Sequence, residues 1–182
     1  MQDAMKNVNS LETKRLVDDA PAMIGRIIHH MQAALAQDAN LPNIPYCALL
    51  VKLSASDIAR EFVEAFNEGL TCLAEKPPSR SSMFTLELSI ADASDPAVEA
   101  LRQSSQWFET LCANAKTRGV KGIHMFGKDV FLTPLREALV KARIDEINVG
   151  HLMPYACRAL DVELVALYQQ TNSQISLAAC RT

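Results

Sequence analysis

The sequence predicts an α/β fold, a single strand–helix alternating domain with a mostly parallel sheet of four or five strands and an N-terminal helix. Short apolar runs bounded by turn residues alternate along the chain with longer segments of helical period. At 182 residues the chain can bury roughly 70% of its unfolded surface without a metal or disulfide staple. Apolar residues at 49% and charged residues at 21% also match a folded globule rather than a disordered chain.

Residues 1–18 are polar and are expected to form a flexible segment, with the α/β domain spanning 19–171 and a tail at 172–182. Pro21 suits a helix's first turn, where its missing N–H has no partner to lose. Met23, Ile24, Ile27, Ile28, Met31 and Leu35 then recur at helical spacing, and the prolines in 40–45 (NLPNIP) end that helix.

Residues 46–53 (YCALLVKL) form an apolar run of strand length, suited to a strand buried on both faces. Ser54 and Asp57 then stand in a capping relation before a helix carried by Ile58, Phe62, Phe66, Leu70 and Leu73. Beyond the loop at 76–82, Phe84, Leu86, Leu88 and Ile90 alternate with polar residues, the pattern of a half-exposed strand. Asp95 and Pro96 open a helix with Val98, Leu101, Phe108, Leu111 and Ala115 on its inner stripe, and Gly119 closes it.

Residues 122–126 (GIHMF) read as a third strand and 145–149 as a short fourth, with a helix between them that starts at Thr133-Pro134 and is carried by Leu135, Leu139 and Ala142. The stretch 151–171 admits two readings. A helix to Leu160 followed by a strand over 162–168 extends the sheet, because Asp161 stands at a natural helix end. One continuous helix instead gives an α+β fold with an all-helical C-terminal segment.

Composition narrows the function classes. The net charge of −3 leaves no strongly basic region, which counts against nucleic acid as a partner. Cys47, Cys72, Cys112, Cys157 and Cys180 form no CxxC and read as reduced thiols, so no metal and no cofactor is expected. The N-terminus lacks the apolar core of a signal peptide, and no apolar run approaches the ~20 residues of a membrane helix. A soluble protein of the cytoplasm, with no membrane partner, is expected.

No HExxH, GxSxG, GxGxxG or P-loop spacing occurs. The first expectation is therefore a non-catalytic regulatory or protein-binding domain, a homodimer in its simplest form. It would act through the exposed strand and the apolar face made by Ile24, Ile27, Ile28 and Met31, although such a face ordinarily packs on its own domain. The alternative is a small enzyme or anionic-ligand sensor at the carboxyl edge of the sheet, where loops after parallel strands converge. Its candidate residues are Asp92 and Asp129 as bases, Lys128 to hold an anion, and His151 as acid or base. A third reading pairs helices around 144–150 as a helix-turn-helix DNA-binding regulator, against which the second helix is poor in basic residues.

Overall fold

The computed structural model describes residues 2–75 and 96–179 and contains no strand among them. Five helices follow one another: α1 (Gln2–Gln37), α2 (Ile44–Glu75), α3 (Pro96–Thr117), α4 (Lys128–Lys141) and α5 (Glu146–Ala179), with a 3₁₀ turn (Ile123–Phe126) before α4. The expected parallel sheet is thus replaced by a helical bundle.

Each proposed strand has a local reason for being helix. The run 46–53 lies inside α2, where Cys47 and Val51 face the core while Tyr46, Leu49 and Leu53 are exposed. Leucines on the outward face filled the gaps that would have shown a helical period. Residues 122–126 supply only the 3₁₀ turn, entered through Gly122 at φ 87°. Asp145 accepts a hydrogen bond from the Asn148 N–H at 3.0 Å, which makes it the N-cap of α5 and 146–149 its first turn. Residues 162–168 continue α5 without a break. The proposed strand at 84–90 and its neighbours Asp92 and Asp95 lie outside the described residues.

Other boundaries move as well. Pro21 sits inside α1 at an exposed position, and the helix takes in the segment before it from Gln2 onward. At the other end α5 runs through 172–179, and Asn172 is buried. Gly119, at φ 66°, ends α3, and the Val120 N–H bonds back to the Ala115 carbonyl. Arg143 adopts the same left-handed conformation after α4, at φ 63°.

Side-chain pairs fix the directions of the helices. Arg15 meets Gln174, Arg26 meets Glu163 and Asp38 meets Tyr155, so α1 and α5 run antiparallel. Ser104 meets Asp161 and Asn114 meets Asn172, so α3 runs parallel to α5. The connection from α1 to α2 and that from α4 to α5 are both short and fold each pair back on itself. Helix α2 packs on α1 and α4, and α5 touches every other helix.

The core is one cluster with contributions from all five helices. Its aromatic centre joins Phe62, Phe66 and Phe131, with ring centroids 5.5 Å apart within α2 and 5.1 Å apart across to α4. Ile24, Ile27 and Met31 are fully buried and Ile28 nearly so. The apolar face of the first helix is therefore covered by the chain's own helices.

Candidate functional site

A polar seam runs along the α5 face that meets α3 and α4. Lys128, at the start of α4, places its Nζ 2.7 Å from Asp161 Oδ1 and 2.8 Å from Oδ2. Ser104 on α3 reaches the same Oδ1 at 2.8 Å. The Asp161 side chain is only 3% exposed, whereas Lys128 keeps 30%, so a buried carboxylate is neutralised by a partly solvated ammonium. Two turns farther along α5, the Tyr168 hydroxyl donates to the Phe126 carbonyl at 2.7 Å. Burial pushes that phenol well above its ordinary range, which keeps it a neutral donor. Asn172 then accepts from Asn114 at 2.9 Å.

These groups are matched to one another rather than poised for reaction. Asp161 accepts from both Lys128 and Ser104, so its lone pairs are largely occupied. The Ser104 hydroxyl donates to a carboxylate or to the Leu101 carbonyl 3.0 Å away, and its pairing with Asp161 is that of a donor rather than an activated nucleophile. One turn before Asp161, burial pushes the Cys157 thiol up, with Lys128 opposing and Asp161 adding to the rise. Such a thiol is a poor nucleophile.

The residues expected at a carboxyl edge do not converge. Lys128 is held by Asp161. Asp129 is exposed in the first turn of α4, its carboxyl raised by desolvation despite Lys128 beside it. His151 is exposed on α5, ten residues before Asp161 and thus about 15 Å away along the helix. Asp92 lies outside the described residues. His124 is exposed in the 3₁₀ turn rather than inside a strand. No group of three or more metal-ligating side chains occurs among the described residues.

A second ionic cluster ties α1 to α5. Glu163, 7% exposed, accepts from Arg26 Nε at 2.7 Å and lies 3.5 Å from His30 Nε2. Between His151 and Gln170 the exposed positions of α5 are His151, Pro154, Val162, Ala166, Gln169 and Gln170, with no arginine or lysine among them.

The outer face of α2 differs in kind. Tyr46, Leu49 and Leu53 follow one another at spacings of three and four, which aligns them on one stripe. They are 54%, 49% and 73% exposed, and Leu41 in the preceding turn is 53% exposed. Farther along α2 the outward positions become Asp57, Arg60 and Glu64. The sequence signal for this stripe was the same apolar run that suggested a doubly buried strand. The signal for the seam was Asp161 among the apolar positions of one helix.

No family model, curated protein or solved structure matches this chain. No helix among the described residues is long and apolar enough to cross a membrane.

Proposed function

We propose that this chain is a non-catalytic protein-binding domain whose contact face is the outer stripe of α2, and that its first partner is a second copy of itself. The observation that carries this reading is the alignment of Tyr46, Leu49 and Leu53, all about half exposed or more, beside Leu41. Single apolar side chains on a surface are ordinary, whereas an aligned group on one helix favours association. A two-fold axis suits the stripe, because it brings the same patch of both copies together. In an antiparallel pairing centred near Leu49, Tyr46 of each copy meets Leu53 of the other. The charged second half of α2 then lies outside the contact, as a polar rim. The mutual neutralisation of Lys128 and Asp161 supports a structural rather than a catalytic role for the seam.

Sedimentation of the wild-type chain and of Leu49→Glu and Leu53→Glu, over a wide concentration range, tests the proposal. A dimer that both substitutions convert to a folded monomer is the expected result. A wild-type chain that remains monomeric, or a dimer that both variants retain, overturns self-association through this face.

A further inference from the structure

An open groove of about 690 Å³ lies along the junction of α3 and α5, lined on α3 by Trp107, Thr110 and Asn114 and on α5 by five residues between Gln169 and Leu177. We infer that this groove binds a neutral, polyhydroxylated ligand of the sugar class. The inference stands apart from the proposed α2 contact, which lies on a different helix.

The lining supplies the first argument. None of its side chains carries a formal charge, and six of them are amides or hydroxyls. The cation at the groove's end, Arg118, donates to the Ile175 and Ser176 carbonyls at 2.8 and 3.2 Å and so is engaged with the end of α5. An anionic ligand would find little here to balance its charge. A neutral one would lose less on leaving water, provided its polar atoms are met.

Sugar hydroxyls both donate and accept, and the groove offers both. Among the described residues, the Gln169 amide and the Trp107 indole N–H have no hydrogen-bond partner and are available as donors. Thr110 and Ser173 turn their hydroxyl hydrogens onto the Gln106 and Gln169 carbonyls, each at 2.9 Å, which leaves their oxygens as acceptors. Asn114 donates one amide N–H to Asn172, and its side-chain oxygen is likewise left to accept.

Preorganisation supplies the second argument. Asn172 is 6% exposed and is fixed between Asn114 and the Trp107 carbonyl, 2.9 and 3.4 Å away. A side chain locked by such contacts loses little freedom when a ligand arrives. Trp107, the one tryptophan of the chain, is partly buried against the core and also lines the groove, where it offers apolar surface to the C–H groups of a pyranose.

Trp107 makes the test direct, because its fluorescence reports on the groove. The full chain is titrated with glucose, N-acetylglucosamine, maltose and cellobiose, with glucose 6-phosphate as the charged contrast, and binding is checked by calorimetry. The expected result is a saturable change with at least one neutral sugar, weakened about tenfold or more in Gln169→Ala. Gln169 is exposed, so that variant should keep the wild-type melting profile. Failure of all four neutral sugars to saturate overturns the inference. So does tighter binding of the phosphorylated sugar than of glucose, or an affinity untouched by Gln169→Ala.

Discussion

Lys128 Nζ lies within 2.8 Å of both carboxylate oxygens of Asp161, which joins the first turn of α4 to the middle of α5. The carboxylate is buried and the ammonium partly solvated, so the two ends of the pair respond differently to substitution.

Lys128→Met leaves the buried Asp161 carboxyl held only by Ser104. A loss of roughly 3 kcal/mol is expected, at the low end for a broken buried pair because water can approach from the lysine side. At this chain length that is about 6–12 °C in the melting midpoint. The double variant Lys128→Met/Asp161→Leu should recover much of the loss, and a double-mutant cycle by urea unfolding measures the coupling.

The two apolar helix faces separate in their response to charge. Ile27 is fully buried in α1, and Ile27→Glu is expected to cost at least about 4 kcal/mol or prevent folding. Leu53 is 73% exposed, and Leu53→Glu should change monomer stability by no more than about 0.5 kcal/mol. Urea unfolding under dilute conditions checks both values.

The N-cap of α5 gives a pH signature. Hydrogen bonds from the Asn148 backbone N–H, and then from its side chain, hold the Asp145 carboxyl below the ordinary carboxylate range. A lowered folded-state value stabilises the fold above the unfolded value of about 4, and the gain is lost as pH falls through the folded value. Asp145→Ala should therefore lower the urea midpoint at neutral pH, and the gap to wild type should narrow on acidification below pH ~4.

Two backbone positions invite stabilising changes. An added Cβ at Gly25, inside α1, meets nothing within 4 Å, so Gly25→Ala should raise stability by about 0.5–1 kcal/mol. Arg143 holds a left-handed conformation that costs a side-chain-bearing residue roughly 1 kcal/mol, and Arg143→Gly should relieve most of it. Thermal unfolding of each variant reads these gains.

Thiol chemistry should follow burial. Cys72 is exposed, whereas Cys47 and Cys157 are buried and burial raises both of their thiols. Iodoacetamide at neutral pH is expected to modify Cys72 well before either of the others, as peptide mass spectrometry would show.

The helical stripes around Ile24, Phe62 and Leu111 were legible because their apolar residues keep the 3.6-residue period and end at Pro or Gly. The false strand at 162–168 has a different cause from the one at 46–53, where exposed leucines hid the period. Helix α5 is covered on several sides, so Val165 and Leu167 add partly buried positions beside Leu164 and Tyr168, and the single stripe disappears. Asp161 looked like a helix end because an isolated carboxylate seldom belongs in a core. Its partners are Lys128 on another helix and Ser104 on a third, a pairing that spacing along the chain does not reveal. The groove near Trp107 was equally hidden, since its lining comes from two helices far apart in the sequence.

Because every other helix packs on α5, the order of synthesis matters to how this protein is made. A ribosome releases α1 through α4 while the surface they will share is still being translated. Until it emerges, Ile24, Leu35, Leu111 and Leu135 have no complete shelter, and a nascent chain halted before Leu152 would be a candidate for chaperone capture. Native packing should therefore be completed only once α5 has emerged, although α1 and α4 can already meet α2 before then.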